Sequence, residues 1–429
     1  MVKEASTIKG VRRIDMALKE CVVQKYGGTS VADTQRIKGV AERVVRSKRA
    51  GKNVVVVVSA LGDTTDRLLE LAAKISKNPP ERELDMLVST GEQVSVALLA
   101  MAIHQLGHDA ISFTGNQVGI ITDNAFTKAR IIDINAKRIL EELRKDKIVI
   151  VAGFQGVSLD QEITTLGRGG SNLTAVALTK VLNAKICEMY TDVDGVYTSD
   201  PRIVHDAVKI HRISYEEMFE LASLGAQVLQ PRSIELAMKF NIPIHVRSSF
   251  SENEGTIISK EVRAMENIVV SGVVMNKDEA KVTICDVPDK PGIAATIFKR
   301  IAKDGINVDM IIQNVSRTGA TDVSFTVMGR DIKKTIKVAK ELSQKIGAGD
   351  VICDTDVAKV SVVGIGMKSH SGVAAVMFDA LAEAKINIKM ISTSEIRISC
   401  VVKKSRGADA VRAIHTKFGL NKKRGSVRT

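Results

Sequence analysis

Aromatic residues are scarce in this chain, and other shortages exclude whole classes of protein. The 429 residues contain no Trp and only 3% aromatic residues. No apolar run approaches the ~20 residues that a membrane helix needs, and the first residues lack the apolar core of a secretory signal. The remaining composition is ordinary for a soluble globular protein, and the length predicts about two to four domains.

Cysteine is also scarce and widely spread. The five cysteines are far apart, and no C-x-x-C pair occurs. Neither a disulfide framework nor a thiolate metal site is indicated. We therefore predict reduced thiols, no metal site built by the protein alone, and a cytoplasmic location.

Several catalytic signatures are missing. The sequence has no G-x-x-x-x-G-K-[ST] loop and no H-E-x-x-H motif, and its seven His are scattered. An ordinary Walker nucleotide site, a zinc enzyme and a Ser-His-Asp hydrolase therefore have little support.

Positive charge is abundant, with a formal net charge of +13, and it concentrates near the C-terminus. Residues 403–429 contain nine Lys or Arg and one Asp. Phe418 is the only aromatic residue there, so no stacking platform for bases accompanies the charge. We predict a solvated helix face and tail, and no nucleic-acid partner.

A repeat divides the chain. Residues 292–298 (GIAATIF) and 306–311 (INVDMI) return at an offset of 80 as residues 372–378 (GVAAVMF) and 386–391 (INIKMI). The predicted first module has strands at 280–287, 306–314, 321–328 and 350–355 and helices at 291–304 and 331–346. The predicted second module has strands at 359–365, 386–392 and 395–402 and helices at 371–384 and 407–418. It lacks a last strand, which residues 268–275 can supply, so we predict that the first β-α-β-β-α-β module is inserted within the second.

The first 260 residues alternate strands with helices, which predicts a mostly parallel open sheet with helices on both faces. Five consecutive valines at 54–58 indicate a strand that is buried on both faces. The predicted strands lie at 22–26, 53–60, 110–113, 148–153 and 185–190, and the predicted helices lie at 36–44, 65–76, 83–106, 129–145 and 171–182. Residues 1–20 are a predicted extension, within which Met16 offers an alternative translation start.

Two glycine loops in this body have the composition of anion sites. Lys25 precedes a glycine pair directly after a strand, so backbone N–H groups and a positive charge can face a phosphate. The loop 167–171 includes Arg168 and opens a helix, whose N-terminus favours an anion. Each pattern also fits a plain turn, the second with Ser171 as a helix N-cap.

Two acidic features lie near these loops in the predicted fold. The segment 191–202 follows a strand and carries carboxylates that can hold Mg²⁺ or a ribose, together with an arginine that can hold a phosphate. Glu92 lies beside an apolar helical stripe that includes Val88 and Val94, where a carboxylate can neutralise a substrate ammonium. The first feature is equally typical of a turn, and the second equally typical of a surface position.

Taken in order, these segments resemble the aspartate kinases, in particular the single-function bacterial type with two C-terminal ACT domains. The matching segments are KYGGTS at 25–30, VSALGDTT at 58–65, STGEQ at 89–93, GFQG at 153–156, GRGGS at 167–171, TDVDGVYTSDPR at 191–202, DKPG at 289–292, NVDMIIQNV at 307–315, KSH at 368–370 and ISTSEI at 391–396. The resemblance runs from about residue 21 to residue 418, which is nearly the whole chain.

The resemblance implies an α/β amino-acid-kinase fold followed by two ferredoxin-like ACT domains. The implied boundaries are 1–20 for the extension, 21–262 for the kinase domain, 279–355 for the first ACT domain, and 265–278 plus 356–429 for the second. The implied reaction is phosphorylation of the β-carboxylate of L-aspartate by ATP, with Mg²⁺. It would open the biosynthesis of lysine, threonine, methionine and diaminopimelate.

The resemblance also assigns roles to individual residues. The implied catalytic residues are Lys25, Glu92 and Arg168. The implied aspartate site consists of Ser59, Thr65, Glu92, Arg168, Gly169, Gly170 and Ser171. The implied ATP site consists of Lys25, Tyr26, Gly27, Gly28, Ser171, Thr191, Asp192, Tyr197, Asp200, Pro201 and Arg202.

By the same resemblance, the duplicated module binds lysine, threonine or both where two such modules pair, which implies at least a homodimer. The equivalent turns 289–292 and 368–372 each precede a helix and can offer free N–H groups to a carboxylate. The implied effector residues are Asp289, Lys290, Ala294, Asn307, Val308, Asp309, Gln313, Asn387, Ile388, Ser394 and Glu395.

Two positions depart from the family pattern. Asn172 stands where the family usually has Asp, which puts the affinity for aspartate in doubt, and Gln227 stands where some relatives have Lys. The alternatives are an amino-acid-binding regulatory protein with a degenerate kinase body, and a kinase for another carboxylate such as glutamate. The intact Lys25, Glu92 and Arg168 disfavour the first, and the ACT pair disfavours the second.

Overall fold

Two compact units make up the described part of the chain. The structure, a computed structural model, describes residues 20–226, 228–260, 269–314, 319–368 and 370–422. The first unit contains the described residues up to Val196, with 209–222 and 228–260. The second contains 197–208, 223–226 and the described residues from 269 onward. Residues 1–19 of the predicted extension and Gln227 lie outside the described residues.

Strands alternate with helices along the chain up to Ser259. The strands are β1 (Cys21–Tyr26), β2 (Asn53–Val58), β3 (Ala110–Phe113), β4 (Ile120–Thr122), β5 (Ile131–Ile134), β6 (Ile148–Ala152), β7 (Gln155–Ser158), β8 (Ile163–Thr165), β9 (Cys187–Thr191), β10 (Val196–Tyr197), β11 (Lys209–Ile210), β12 (Arg212–Ser214), β13 (Ile244–Ser248) and β14 (Thr256–Ser259). The helices are α1 (Thr34–Arg49), α2 (Thr64–Ile75), α3 (Glu81–Val88), α4 (Thr90–Gln105), α5 (Lys137–Arg144), α6 (Gly170–Val181), α7 (Tyr215–Ser223) and α8 (Pro231–Phe240).

An eight-stranded sheet forms the centre of the first unit, in the order β12-β14-β13-β9-β1-β2-β6-β3. Neighbouring strands run parallel except β13 and β14, which run antiparallel. The valines of β2 are buried on both faces of the sheet, as their continuous run predicts. Helices α1 and α4 pack on one face and α6 contacts β1, β2 and β9, so the predicted parallel sheet is confirmed.

A second sheet of short strands, in the order β5-β4-β7-β8, lies in the same unit. It corrects the predicted helix at 129–145, which is wrong in its first half. Ile131, Ile132 and Ile134 form a strand that pairs antiparallel with β4, and the helix begins only at Lys137. Three β-branched residues in four positions favour a strand once a partner strand is present.

The predicted helix at 83–106 is two helices, α3 and α4, which meet at Ser89. By length and composition alone, the segment Glu81–Gln105 is apolar enough to cross a membrane, and half of its most apolar window is buried in the fold. Polar and charged residues interrupt the segment, so it contains no long continuous apolar run despite its mean hydropathy. Val96, Leu99 and Ile103 lie in the core of the first unit, which gives the apolar character a structural reason.

The second unit contains a six-stranded antiparallel sheet. Its strands are β15 (Gly272–Pro288), β16 (Val308–Gln313), β17 (Ala320–Met328), β18 (Val351–Val363), β19 (Ile388–Thr393) and β20 (Arg397–Lys403). Its helices are α9 (Ile293–Lys303), α10 (Ile332–Ile346), α11 (Val373–Glu383) and α12 (Gly407–Lys417). The sheet order is β16-β17-β15-β18-β20-β19.

Two long strands join the repeated modules. The sequence predicts separate strands at 280–287 and 350–355, but each is continuous with the neighbouring strand of the other module. Gly272 pairs with Val363 at one end of the β15–β18 ladder, and Ile284 pairs with Val351 at the other. The first half of β15 thus completes the sheet of the second module, which is the inserted order that the strand count predicts. Residue 268 of that predicted strand lies outside the described residues.

The repeat in sequence is a repeat in packing. Edge strands β16 and β19 have the same pattern of buried and exposed residues. Met310 and Met390, at equivalent positions, meet in one small apolar cluster with Val357 and Val401. The two modules are therefore joined by shared strands and by contacts between their equivalent edges.

Candidate active site

The first glycine pair lies at the carboxyl end of β1, against the loop that follows β2. A Cβ atom on Gly28 would come within 2.9 Å of the carbonyl oxygens of Ala60 and Gly62, so only glycine fits. The N–H group of Gly62 donates to the carbonyl of Gly28 at 3.0 Å. The two loops fix each other at the sheet edge where parallel α/β sheets bind ligands.

Lys25 places an ammonium at this edge. Its Nζ lies 3.3 Å from the position that a Cβ atom on Gly27 would take, so the side chain lies over the glycine pair. Burial lowers the pKa of Lys25 to about 8, with Cys187 and Asp192 opposing the shift. The group is still mainly charged at pH 7 and is poorly solvated, which strengthens its attraction for a phosphate.

Glu92 is a buried carboxyl group with one unused oxygen. It is 3% exposed on the first turn of α4, and its Oε1 accepts a hydrogen bond from the N–H group of Ala60 at 3.1 Å. Its Oε2 is buried and has no hydrogen-bond partner within the described residues. Burial raises the pKa of Glu92 to about 8. An ammonium at Oε2 would satisfy this oxygen and favour the charged form.

The second glycine loop leads from β8 to α6. Gly167 and Gly169 have φ values of 78° and 72°, in the left-handed region that favours glycine. Between them Arg168 is exposed. Gly169 occupies the N-cap position of α6 without a side-chain cap, so the alternative role of Ser171 as N-cap is wrong. The loop presents a guanidinium beside a helix N-terminus, which is the chemistry of an anion site.

Ser171 connects this loop to the main sheet. It is buried in the first turn of α6, and Asn172 beside it is buried as well. A Cβ atom on Gly153 would lie 2.6 Å from Oγ of Ser171. The glycine that follows β6 is therefore needed for the N-terminus of α6 to reach the end of that strand.

Ser59 and Thr65 lie on the loop and helix that follow β2, and both are half-buried. The N–H group of Ser59 donates to the carbonyl of Tyr26 at 3.1 Å. Tyr26, which was predicted to contact ATP, has a fully buried side chain stacked on Tyr190, with ring centroids 4.7 Å apart. Only the main chain of Tyr26 lies where it can meet a ligand.

Thr191 and Asp192 follow β9 at the same edge. The hydroxyl of Thr191 donates to Oδ1 of Asp192 at 3.0 Å, and the carbonyl of Thr191 accepts from the N–H group of Ser249 at 2.8 Å. Asp192 is exposed and close enough to affect the pKa of Lys25. An acidic side chain is therefore available beside the phosphate-type loop.

Four neighbouring strands bring most of the predicted residues together. The order β9-β1-β2-β6 places the carboxyl ends of four parallel strands side by side. At these ends, or on the loops and helices that follow them, lie Lys25, Gly27, Gly28, Ser59, Thr65, Glu92, Thr191 and Asp192. Arg168, Gly169, Gly170 and Ser171 join this edge through the contact between Ser171 and Gly153.

The remaining predicted nucleotide residues, Tyr197, Asp200, Pro201 and Arg202, belong to the second unit by their contacts. Arg202 binds Asp200 in a two-pronged ion pair, with Nε–Oδ1 at 3.0 Å and Nη2–Oδ2 at 2.8 Å. This ion pair lowers the pKa of the Asp200 carboxyl group. The contacts group residues 197–208 with the second unit, so the first unit does not coincide with the predicted kinase domain at 21–262. That boundary stays a prediction.

Within the second unit, one buried residue anchors the segment 197–208. Oγ1 of Thr198 lies 2.9 Å from Nε2 of His415, which is fully buried on α12. The carbonyl of Thr198 accepts from the N–H group of Val273 on β15 at 2.8 Å. Val204 lies in the hydrophobic core of the second module. The contact between Thr198 and His415 therefore holds the segment that carries Tyr197 and Arg202 against α12, the last helix of that module.

The two turns predicted to bind an effector have equivalent backbones. Gly292 and Gly372 are the N-caps of α9 and α11, with φ values of 92° and 89°. Asp309, a predicted effector residue on β16, forms an ion pair with the buried Lys359, which also binds Glu279. The other predicted residues on or near this turn and the two edge strands are Asp289, Lys290, Ala294, Asn307, Val308, Gln313, Asn387 and Ile388.

A cavity of about 420 Å³ lies beside the second turn. Two predicted effector residues, Ser394 and Glu395, line it together with Lys368 and His370. The ammonium of Lys368 lies 2.8 Å from the carboxylate of Glu395 and lowers its pKa. The cavity therefore offers charged groups of both signs, as a zwitterionic ligand requires.

Some supporting residues give only a weak signal in the sequence. Asp85 is a fully buried acid within an apolar helical stretch, and Arg232 follows a proline near Gln227. Both contact the strand that leads into the second glycine loop. An acid flanked by Leu84 and Met86 could have indicated the first, whereas nothing local indicates the role of the second or of His415.

Comparison with known proteins agrees with this architecture. Residues 20–248 match the amino acid kinase family, and residues 281–345 and 360–418 each match an ACT domain. The fold and the site thus define an amino acid kinase with a pair of ACT domains, as predicted. Over 407 residues the chain is 51% identical to the aspartate kinase of Stutzerimonas stutzeri, across 95% of this chain and 99% of that protein. The chain belongs to the aspartate kinase family.

Solved structures of Escherichia coli aspartokinase III are similar over 93% of this chain and 99% of theirs, at 26% identity. The complex with aspartate and ADP, in the R-state, has a TM-score of 0.79. The complex with lysine and aspartate, in the T-state, has a TM-score of 0.71. The predicted family and fold are confirmed.

Proposed function

We propose that this chain transfers the γ-phosphoryl group of ATP to the β-carboxylate of L-aspartate and so makes 4-phospho-L-aspartate. The observation that carries the proposal is the buried Oε2 of Glu92, which has no hydrogen-bond partner among the described residues and lies on the same sheet edge as Lys25. A buried carboxylate oxygen needs a cationic or donor group, and the ammonium of the substrate supplies one. The related E. coli enzyme was crystallised with aspartate and ADP.

The substrate carboxylate is itself the nucleophile. A β-carboxylate is ionised at pH 7, so it needs no general base to attack phosphorus. The barrier consists mainly of repulsion between anions and of alignment. Fixed cations and helix N-termini reduce the repulsion, and rigid loops supply the alignment.

Glu92 and Arg168 hold the amino-acid end of the substrate. Glu92 receives the ammonium, and Arg168 receives the α-carboxylate through a two-pronged hydrogen bond. Ser59, Thr65 and the N-terminus of α6 at Ser171 surround the β-carboxylate. With both ends of the amino-acid group fixed, a side chain longer by one methylene group would place its carboxylate wrongly for the transfer.

Lys25 and the glycine pair hold the phosphates of ATP. When bound, Mg²⁺ would neutralise phosphate charge, and one or two protein carboxylates would be enough to hold it beside the phosphates. The residues that the structure describes contain no group of three or more His, Cys, Asp or Glu that could hold a metal. The exposed Asp192, beside Lys25, would hold the ion. The nucleotide roles of Tyr197, Asp200, Pro201 and Arg202 are proposed on the motif alone.

Lysine, threonine or both are the proposed effectors of the second unit, acting in a homodimer through paired modules. The cavity beside Lys368 and Glu395 suits their ammonium and carboxylate groups, and the E. coli relative was crystallised with lysine. An effector that shifts α12 would move Thr198 through His415, and with it the segment that carries Arg202. Inhibition requires a coupling of ~1–3 kcal/mol between the two sites.

A cytoplasmic location and a place at the head of lysine, threonine and methionine biosynthesis belong to the same proposal. The five cysteines are free thiols, which a reducing compartment preserves.

A coupled assay of ADP release tests the reaction. The full chain with ATP and Mg²⁺ should turn over L-aspartate about 10–200-fold better than L-glutamate in kcat/KM, since the two differ by one methylene group. Glu92→Gln should lose turnover of aspartate, whereas its matched control Glu81→Gln, on the exposed face of α3, should keep wild-type constants. Equal rates with both substrates, or no aspartate-dependent ADP release, would contradict the proposal.

Titration calorimetry with lysine, threonine and both together tests the regulation. At least one should bind below millimolar concentration and lower turnover. Binding without inhibition would contradict the proposed coupling. If neither ligand binds and neither inhibits, the proposed sensor role is wrong for these ligands.

A further inference from the structure

The loop that carries Arg168 is held by residues outside it. Arg168 is exposed and lies between two left-handed glycines. Glycine leaves the backbone free to adopt many conformations. The position of the Arg168 guanidinium therefore depends on what fixes the residues just before the loop, Thr165 and Leu166.

Arg232, on the first turn of α8, holds one side of this segment. Its Nη1 donates to the carbonyl of Leu166 at 2.7 Å, and its Nη2 donates to the carbonyl of Ala129 at 3.0 Å. A rigid guanidinium fork can bridge two carbonyls at once, whereas a lysine ammonium at this reach cannot keep the same geometry.

Asp85, fully buried on α3, holds the other side. Its Oδ2 accepts from the N–H groups of Thr127 at 2.9 Å and Thr165 at 2.8 Å. Its Oδ1 accepts from the hydroxyl of Thr165 at 2.6 Å. An alanine here would leave the two N–H groups and the hydroxyl without this acceptor, whereas an asparagine could keep all three contacts by reversing the bond to the hydroxyl.

Asp85 and Arg232 bind the same two neighbouring segments of the chain. The N–H group of Ala129 donates to the carbonyl of Thr165 at 2.8 Å, so residues 127–129 lie beside residues 165–167. Asp85 binds this pair at its Thr127 end, and Arg232 binds it at its Ala129 end. Gly167, the first residue of the loop, follows directly.

We propose that Asp85 and Arg232 are positioning residues for the phosphoryl transfer. Together they form a clamp, the Asp85–Arg232 clamp, that fixes the backbone before Gly167 and so sets where Arg168 meets the α-carboxylate. The inference rests on the proposed function, and neither residue of the clamp touches the substrate. Its effect should therefore fall on aspartate and not on ATP.

Arg232→Lys in the full chain is the deciding variant. We expect kcat/KM for aspartate to fall about a hundredfold, the usual effect of displacing a binding group by about 1 Å. The KM for ATP should stay within about twofold of wild type, because Lys25 on β1 and the glycine pair that follows β1 are untouched. Lys239→Gln, an exposed loss of a cation on the same helix, is the matched control and should keep wild-type constants.

Chemical rescue separates positioning from stability. Guanidinium ion at low millimolar concentration should restore part of the aspartate kcat/KM of Arg232→Ala, whereas sodium at the same concentration should not. Asp85→Ala, which removes all three hydrogen bonds, should show the same selective loss for aspartate. If that variant does not fold, Arg232→Lys still decides.

Unchanged aspartate constants in Arg232→Lys would overturn the inference. So would a parallel rise in the KM values for aspartate and ATP with a lower melting temperature, because that pattern belongs to a purely structural role. A wild-type chain that turns over no aspartate would overturn the proposed function and this inference together. Wild-type turnover with an unaffected Arg232→Lys overturns the inference alone.

Discussion

Replacing Glu92 with Gln should make the first unit more stable at neutral pH and, at the same time, unable to use aspartate. Burial raises the pKa of Glu92 from 4.5 to about 8. Between these two values the folded chain keeps a proton that the unfolded chain releases. The stability associated with Glu92 is therefore fully present below pH 4.5 and is lost as the pH rises through about 8.

The magnitude follows from the width of that window. For each pH unit between 4.5 and 7, the free energy of unfolding falls by about 1.4 kcal/mol. The total loss at pH 7 is about 3 kcal/mol. Glutamine is neutral at every pH and avoids this loss, while its amide oxygen can still accept from Ala60. For a unit of this size, the difference corresponds to roughly 6–12 °C in melting temperature.

The assay is a set of melting curves for the wild type and Glu92→Gln from pH 5 to pH 8.5, together with aspartate turnover. The two melting temperatures should nearly coincide at pH 5, and the variant should melt higher at pH 7 and above. Turnover should be lost because the substrate ammonium has no counter-charge. The surface variant Glu81→Gln controls for the general effect of removing a carboxylate.

Two results would refute this reasoning. A melting difference that does not change with pH would show that Glu92 is charged in the folded chain. A variant with a wild-type KM for aspartate would show that Glu92 does not meet the ammonium.

Three further substitutions test other parts of the account. Lys25→Ala should fold normally and lose about 3–4 kcal/mol of barrier stabilisation in kcat, and a kcat within tenfold of wild type would reject the role of Lys25. Asn172→Asp should lower the KM for aspartate by adding charge next to the substrate ammonium, and an unchanged or raised KM would show that residue 172 does not face it. His415→Leu should weaken effector inhibition by removing the bond to Thr198 while leaving turnover without effector nearly unchanged, so full inhibition in this variant would exclude that route.

The parts of the fold that were predictable have local causes. The valines of β2 predict a strand buried on both faces because no polar residue interrupts them. The repeated segments predict the modules because each carries its own turn, helix and strand. The inserted order follows from counting strands, which needs no knowledge of contacts.

The parts that were not predictable depend on distant partners. The sequence predicts a helix where β5 lies, because the few residues of β5 acquire an extended form only by pairing with β4. The continuity of β15 depends on β18, which lies about 80 residues away in the chain. The grouping of residues 197–208 with the second unit depends on His415, which is separated from Thr198 by 217 residues.

The candidate site divides in the same way. The two glycine loops are visible because glycine and a cation beside it are local features. The burial of Glu92 is not, and the predicted apolar stripe beside it includes Val94, which is exposed. The loop after β2 covers Glu92 and supplies the N–H group of Ala60, and that contact joins residues 32 positions apart.

The identity of the phosphorylated carboxylate is the most direct test of the central claim. An acyl phosphate reacts with hydroxylamine to give a hydroxamate, so the wild-type chain can be run with ATP, Mg²⁺, aspartate and hydroxylamine. Mass spectrometry against authentic standards then separates the α- and β-hydroxamates. The account predicts aspartate β-hydroxamate in amounts equal to the ADP formed, and a rate about 10²–10³-fold lower with Lys25→Ala. The α-hydroxamate, or ADP release without any hydroxamate, would contradict it.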